Sequence, residues 1–202
     1  LTHDIVQTVA PDVESHYLPH AVDSEMFKEY PEKIVKDFAR EHDYDDVVTF
    51  FWNNRNARRK QSGSLVWWFT EFLDEVGRDK ARLIMHTDPK DPHGQDLVAL
   101  LSELKLNNGE ILISSNKIPP NALGMMYNCA DCTINISDAE GFGLATLESL
   151  ACGTPIIVTM TGGLQEQVTD GEEWFGVGLE PSSKAVIGSQ DVPYIYEDRL
   201  SK

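Results

Sequence analysis

A cluster of basic side chains follows the first predicted β-strand. Arg55, Arg58, Arg59 and Lys60 place four of the 17 Lys and Arg residues within six positions of a chain whose formal net charge is −16. Arginine binds phosphate oxygens in a bidentate manner and lysine adds a point charge. The cluster therefore predicts a site for one small polyanion. A solvated basic loop without a ligand is the other interpretation of the cluster taken alone.

A glycine-containing run with two glutamates follows the fourth predicted strand, between Ser137 and Glu148. Gly141 and Gly143 let the backbone approach a ligand closely, and the start of the next predicted helix offers unpaired N–H groups to an anion. Glu140 precedes that helix, and Glu148 lies about one turn inside it. Carboxylates accept hydrogen bonds from hydroxyls, so this pair predicts contacts to a sugar and a ribose. Glu148 alone also fits a solvated helix residue.

Apolar or β-branched runs alternate with segments of helical period from about residue 47 onward, which predicts an α/β fold with a parallel sheet and crossover helices. Strands are predicted at 47–52, 82–86, 110–113, 132–136 and 155–159. Helices are predicted at 64–76, 95–105, 121–129 and 144–151. In doubly wound sheets, ligands lie beyond the carboxyl ends of the strands. Both clusters fall at such ends.

Three parts are predicted along the chain. Residues 1–45 form an amino-terminal arm with an amphipathic stretch at 32–41, which we expect to pack on the sheet domain from outside. Residues 46–180 form the sheet domain. The sequence after Gly171 is rich in Gly, Pro and Ser, so 181–202 is predicted to be a mobile tail, with a mobile loop at 182–190.

Composition narrows the function classes. The excess of 33 Asp and Glu over 17 Lys and Arg argues against binding to nucleic acid or to an anionic membrane surface. No apolar run approaches the ~18 residues of a membrane span. The three cysteines are too few for a disulfide framework and predict a reducing compartment, with the cytoplasm as the default. The chain begins at Leu1 and shows no signal peptide, so a fragment is one interpretation.

One stretch of the sequence resembles the E-x7-E signature of retaining GT-B glycosyltransferases of the family 4 type, the glycosyl transferases group 1. It is the run from Glu140 to Glu148 with its continuation Ser-Leu-Ala-Cys-Gly-Thr-Pro155. Arg55 with Lys60 is similar to the Arg/Lys pair with which that family holds the donor diphosphate. The segments 17–27 and 118–131 resemble two further family regions. The resemblance covers about residues 14–170. It implies a Rossmann-like sheet with helices on both faces, the C-terminal half of a GT-B enzyme.

The resemblance implies roles for single residues. Arg55 and Lys60 would neutralise the leaving diphosphate and, with Glu140, form the catalytic set. Glu148 would bind the ribose hydroxyls, and Ile118 would meet the base through its backbone. The donor-binding positions implied are Ile118, Gly141, Phe142, Gly143, Leu144 and Glu148. Fixed charges and N–H dipoles can assist departure of a nucleoside diphosphate, so no metal and no cofactor are expected.

The family also implies a substrate and a partner. The donor would be a nucleotide sugar, UDP- or GDP-linked, from which a hexose passes to an unknown acceptor. Family members have an N-terminal acceptor domain that nothing in this chain resembles. The chain alone is therefore expected to bind nucleotide but to transfer little sugar, and to be cytoplasmic or peripheral to a membrane through that other domain. Gln61 departs from the glycine that usually follows the lysine, and Arg59 from a commonly acidic position.

Other classes are weighed against this interpretation. A degenerate domain that binds nucleotide or a partner without catalysis would keep the fold and lose the transfer. A dinucleotide-binding oxidoreductase would need G-x-G-x-x-G after the first strand, where the sequence has no glycine before Gly63. The acidic run at 43–45 matches the Asp-x-Asp of metal-dependent transferases but precedes the first strand, at the wrong end for a ligand. Cys129 and Cys132 lack a second pair of zinc ligands.

Overall fold

The computed structural model describes residues 2–44, 47–187 and 195–200. Its helices are α1 (Thr2–Val9), α2 (Glu32–Glu41), α3 (Ser62–Val76), α4 (Leu97–Glu103), α5 (Pro120–Cys129), α6 (Leu144–Ala151) and α7 (Gln165–Val168). Its strands are β1 (Val48–Asn53), β2 (Ala81–His86), β3 (Ile111–Ser114), β4 (Cys132–Asn135), β5 (Ile156–Thr159), β6 (Gly176–Leu179), β7 (Ser183–Ile187) and β8 (Ile195–Arg199). Short 3-10 turns cover Arg58–Lys60 and Gly162–Leu164.

The main sheet has six strands in the order β3-β2-β1-β4-β5-β6, and all of its pairs are parallel. The chain moves outward from β1 to β3 and then returns to start β4 on the other side of β1. Ligands of doubly wound sheets bind at such a reversal. The loops that follow β1 and β4 therefore leave the same edge of the sheet side by side.

The core lies on both faces of the sheet. Trp52 and Phe51 are neighbours on β1 and point to opposite faces, and both are fully buried. Trp52 packs in a cluster with residues of α3 and α4, whereas Phe51 packs with Tyr127 of α5. A central parallel strand covered on both sides carries a run of apolar residues, as β1 does at 50–52. Burying one such side chain contributes about 1.5–3 kcal/mol.

Helix α3 follows the apolar period of its sequence. Leu65, Phe69 and Leu73 lie on one face and are buried in the core, and Gly77 ends the helix with a φ of +110°. Glycine adopts a positive φ without the steric cost that a Cβ would bring. Helix α6 has the bounds predicted for it, and the other three predicted helices occur with ends shifted by one to two residues.

The amino-terminal arm lies against the helix layer that contains α5. Phe27 is buried there with its ring 6.2 Å from that of Tyr127, in an edge-on arrangement. The Tyr30 N–H donates to Asn128 Oδ1 at 2.9 Å. The amphipathic stretch at 32–41 is helix α2, which packs along α5.

The predicted α/β fold is confirmed, but the carboxyl-terminal part corrects two details. Residues 176–179, for which no strand is predicted, form the sixth strand β6, paired with β5. Residues 183–187, predicted as loop, form β7, which pairs antiparallel with β8. Pairing with a neighbouring strand compensates for the weak strand propensity of Gly and Ser in these segments. Residues 188–194 and 201–202 of the predicted mobile tail lie outside the described residues, and the mobility of the tail stays a prediction.

Candidate functional site

Two loops meet at the carboxyl edge of the sheet, the basic loop after β1 and the loop that joins β4 to α6. The Asp138 N–H donates to the carbonyl oxygen of Arg59 at 2.8 Å. In the other direction, Arg59 NH1 donates to the carbonyl oxygen of Ala139 at 2.6 Å. These reciprocal contacts bring the two sequence-predicted clusters into one site.

Lys60 and Glu140 form a buried ion pair at the junction of the two loops. Lys60 Nζ donates to Glu140 Oε2, and each side chain is only 9% exposed. Burial lowers the pKa of Lys60, and the Glu140 carboxylate opposes this shift. Arg59 NH1 lies 3.6 Å from the same carboxylate oxygen. The predicted residues Lys60 and Glu140 are thus in direct contact.

Asp138 is a site residue that the sequence did not single out. Its side chain is 3% exposed, and its Oδ2 lies 2.5 Å from Gln61 Nε2, 2.7 Å from Arg199 NH1 and 3.8 Å from Arg58 NH1. A buried carboxylate is expensive without such partners. Asp138 therefore joins the basic loop, the β4–α6 loop and strand β8. Its acidic type and its position two residues before Glu140 are the sequence features that point to it.

Gln61 has a left-handed backbone, with φ of +56° and ψ of 34°. This conformation favours glycine, the residue that the family pattern has at this position. The glutamine side chain is held at both ends, because Nε2 donates to Asp138 and Oε1 accepts from Ser64 Oγ at 2.6 Å. The loop after Lys60 keeps the glycine-type backbone although glycine is absent.

The segment Gly141–Leu144 leads into α6 through a left-handed Gly143, whose φ is +92°. Gly162 approaches the same segment so closely that an added Cβ would lie 1.7 Å from the carbonyl oxygen of Glu140. Gln167 Nε2 donates to the carbonyl oxygen of Phe142 at 2.7 Å. The backbone at the start of α6 is thus held from outside by the segment that follows β5.

Glu148 lies half-buried on α6 and is connected to β1 by a chain of hydrogen bonds. Asn53 Nδ2 donates to the Tyr127 hydroxyl at 2.8 Å, and that hydroxyl donates to Glu148 Oε2 at 2.7 Å. Burial raises the pKa of Glu148, and the hydrogen bond from Tyr127 opposes this rise. Glu148 is the residue predicted to bind the ribose hydroxyls, and one of its carboxylate oxygens is therefore already fixed by the protein.

Arg55 contacts a different partner from Lys60. Its Nε donates to Asp91 Oδ2 at 2.6 Å and its NH2 to Asp91 Oδ1 at 3.2 Å. NH2 also lies 2.8 Å from His93 Nδ1. Asp91 and His93 belong to the loop after β2, and the Arg55 contact depresses the pKa of Asp91. The sequence did not predict this pairing.

The remaining predicted donor positions are placed as follows. Gly141 and Leu144 are exposed, Phe142 is half-buried and Gly143 is buried. Ile118 lies half-buried in the segment between β3 and α5, and its contact with a base stays a prediction.

An open cleft of about 630 Å³ lies between the amino-terminal arm and the loops around Glu140 and Gly162. The ring of His20 packs on Phe142 with centroids 4.7 Å apart. The Tyr17 hydroxyl donates to Glu166 Oε2 at 2.6 Å. The arm therefore forms one wall of the cleft, beside the segment that precedes α6.

The described part of the chain contains no group of three His, Cys, Asp or Glu side chains arranged to hold a metal. Burial raises the pKa of Cys129 and of Cys132 to about 11, so both thiols stay protonated near neutral pH. None of the helices in this part of the chain is long and apolar enough to span a membrane.

Comparisons with known proteins find similarity to glycosyltransferases. Residues 91–187 match the family model described as "Glycosyl transferases group 1". A D-inositol 3-phosphate glycosyltransferase of Acidothermus cellulolyticus is 40% identical over 90 residues, which are 44% of this chain and 20% of that protein.

Two solved structures share the fold. Anabaena HepE in complex with UDP and glucose has a TM-score of 0.65 at 16% identity, over 80% of this chain and 42% of HepE. The C-terminal domain of the group 1 family protein LpcC from Francisella tularensis has a TM-score of 0.63 at 21% identity, over 81% of this chain and 82% of that domain. The chain thus spans less than half of the HepE and inositol-phosphate enzymes it matches. It has the α/β fold of the C-terminal half of a GT-B glycosyltransferase, with a central region similar to the glycosyl transferases group 1.

Proposed function

We propose that this chain is the donor-binding domain of a retaining glycosyltransferase of the family 4 type, which takes a hexose from a nucleoside diphosphate. The observation that carries the proposal is the buried Lys60–Glu140 pair at the junction of the two loops, directly before the start of α6. A lysine held here places positive charge where parallel sheets bind ligands, at the reversal of strand order.

The donor diphosphate binds between Lys60, Arg55 and the backbone N–H groups at the start of α6. Negative charge grows on the diphosphate as the bond to the sugar breaks, and fixed cations and N–H dipoles stabilise that charge. Glu140 orients the Lys60 ammonium and, with the backbone of Gly141–Leu144, positions the sugar. No metal is required for this stabilisation, so we expect EDTA to leave donor binding unchanged.

Glu148 binds the ribose hydroxyls. Tyr127 donates to one carboxylate oxygen, which fixes the carboxylate before the ligand arrives. A preoriented acceptor loses less side-chain entropy on binding than a free one. Ile118 meets the base through its backbone.

Transfer to an acceptor requires a second domain. The relatives are longer than this chain, which spans 42% of HepE and 20% of the inositol-phosphate enzyme. We expect residues 1–202 to bind the donor nucleotide and to show little or no transfer in a turnover assay. The HepE structure, which holds UDP and glucose, favours a uridine nucleotide as the first ligand to test.

Isothermal titration calorimetry of the chain with UDP, GDP and ADP, each with and without EDTA, tests the proposal. We expect saturable binding of one nucleotide. Glu148→Ala should weaken it by about tenfold or more, since a hydrogen bond to a charged group contributes about 1.5–3 kcal/mol. Arg55→Ala and Lys60→Ala should weaken it as well.

Glu172→Ala and Lys80→Ala are matched controls, because both remove an exposed charge outside the site. Binding that all five variants retain would contradict the site. No binding of any nucleotide by a folded chain would favour the alternative of a degenerate interaction domain without catalysis.

A further inference from the structure

The Arg55 guanidinium is oriented by the loop that follows β2. A guanidinium has five N–H donors, one on Nε and two on each terminal nitrogen. Asp91 accepts from Nε at 2.6 Å and from NH2 at 3.2 Å, a side-on bidentate arrangement. His93 Nδ1 lies 2.8 Å from NH2. Arginine only donates, so this contact requires His93 to accept at Nδ1, whereas in the other tautomer the same nitrogen donates to Asp91 Oδ1, which lies 3.1 Å away.

These two partners are themselves held in place. Asp91 Oδ1 accepts from the backbone N–H of His93 at 2.9 Å, and the Asp91 carbonyl accepts from the N–H of Gly94 at 2.9 Å. The carbonyl of His93 accepts from the N–H of Arg58 at 3.0 Å. The Asp91 side chain is 11% exposed, although that of Arg55 is 61% exposed. A rigid turn therefore supports an arginine that is open to solvent.

The Asn56 side chain links the same turn to the basic loop. It is fully buried, and its amide donates to the Gln95 carbonyl at 2.7 Å while its oxygen accepts from Ser62 Oγ at 2.7 Å. The position of the turn relative to Arg55 is thus fixed on both sides.

One end of the guanidinium remains available. In the part of the chain that the structure describes, Asp91 and His93 engage Nε and NH2, whereas NH1 has no protein partner. We propose that Asp91 and His93 are positioning residues that hold Arg55 so that its NH1 edge is presented to the donor diphosphate. This inference rests on the proposed function, which assigns the diphosphate to Arg55 and Lys60.

Asp91 and a phosphate group can also be competitors for Arg55, and this relation predicts the opposite change in nucleotide affinity. If the Asp91 carboxylate competed with phosphate for Arg55, removing it would tighten nucleotide binding. If it positions Arg55, removing it frees a long side chain that must be ordered again on binding, and affinity falls. The sign of the change in affinity therefore separates the two relations.

The experiment is calorimetric titration of the nucleotide that binds, with Asp91→Ala, Arg55→Ala and the double variant. Ordering one long side chain on binding predicts a loss of about three- to tenfold for Asp91→Ala. In the Arg55→Ala background the same substitution should have no further effect. Asp91→Asn keeps one acceptor and should give an intermediate loss, and His93→Ala a smaller loss than Asp91→Ala.

Asp88→Ala is the matched control, because it removes the same charge from the same loop, where Asp88 is exposed and its side chain accepts from the N–H of Lys90. Thermal unfolding of every variant checks the fold, and His93→Ala replaces Asp91→Ala if that chain does not fold. Tighter binding by Asp91→Ala, or an equal loss in both backgrounds, overturns the inference. If Arg55→Ala weakens binding and Asp91→Ala does not, only this inference fails. If Arg55→Ala has no effect, the proposed role of Arg55 fails with it.

Discussion

At the scale of single residues, the Tyr127 hydroxyl accepts from the Asn53 amide and donates to Glu148. Tyr127→Phe leaves both partners without this group inside a buried environment. We expect the free energy of unfolding to fall by about 1–3 kcal/mol, the cost of an unsatisfied buried polar group. Urea unfolding measures it.

The matched control for that substitution is Tyr17→Phe. The Tyr17 hydroxyl also bonds a glutamate, Glu166, but it lies on the surface. Surface substitutions away from special features change stability by less than about 0.5 kcal/mol. Equal losses in the two variants would contradict a structural role for the Tyr127 hydroxyl.

Glu148 predicts a pH dependence of donor binding. Burial raises its pKa, so as the pH falls from 7 this carboxylate takes up a proton earlier than an exposed glutamate does. A protonated carboxyl accepts fewer hydrogen bonds from hydroxyls, and the affinity for a nucleotide sugar should therefore fall in acid. Titration calorimetry between pH 7 and pH 5 measures this, with Glu148→Gln as the variant that lacks the titrating group.

The same shift acts on stability with the opposite sign. A carboxyl whose pKa is higher in the folded than in the unfolded state stabilises the fold when protonated. This contribution is complete below the unfolded pKa and is lost as the pH rises through the folded one.

For the predicted pH dependence of nucleotide-sugar binding, an identical profile in Glu148→Gln would show that another group titrates.

At the scale of elements, the turn that ends the basic loop stores conformational strain at Gln61, whose φ is +56°. Gln61→Gly and Gln61→Ala both remove the hydrogen bonds of the side chain to Asp138 and Ser64. They differ in the left-handed backbone, which costs a residue with a Cβ about 1–2 kcal/mol. Gln61→Gly should be the more stable of the two by about 1 kcal/mol in urea unfolding, after allowing for the greater freedom of unfolded glycine. Equal stabilities would place the left-handed turn in doubt.

Elements were predictable where local signals agree. Helix α6 begins after a left-handed glycine and ends before another, and its bounds match the prediction. Strand β6 was missed because two of its four residues are glycines, and pairing with β5 rather than propensity forms it.

In the site, as in the elements, features of the local sequence are easier to predict than contacts between distant segments. Lys60, Glu140 and Glu148 stand out through residue type, spacing and the family resemblance together, and their roles stay predictions. Asp91 is not, because its partner Arg55 lies 36 positions earlier in the chain. Contacts between loops depend on the register of the sheet, which the sequence pattern alone does not supply.

At the scale of the whole molecule, Arg199 connects the antiparallel pair β7–β8 to the site through Asp138, at 2.7 Å. Arg199→Met removes one partner of a buried carboxylate, and we expect a loss of about 1–3 kcal/mol in the free energy of unfolding. Thermal or urea unfolding measures it. Lys80→Met, which breaks an exposed pair with Asp79, should change stability by less than about 1 kcal/mol. A loss no greater than that of the control would mean that β7–β8 is not coupled to the site through this contact.

The cations of the basic loop are not free charges. Each has a carboxylate within 4 Å: Arg55 has Asp91, Arg58 has Asp138, and Arg59 and Lys60 share Glu140. Three carboxylates thus offset most of the four positive charges of the loop, and the chain as a whole carries a net charge of −16, so its long-range field repels an anion. Salt screens this net charge beyond about one Debye length, ~8–10 Å at physiological salt, so an approaching nucleotide sugar meets repulsion inside that distance. Its rate of association should therefore rise when salt is added, the reverse of what a bare basic patch produces, and selection of the ligand takes place at contact rather than during approach.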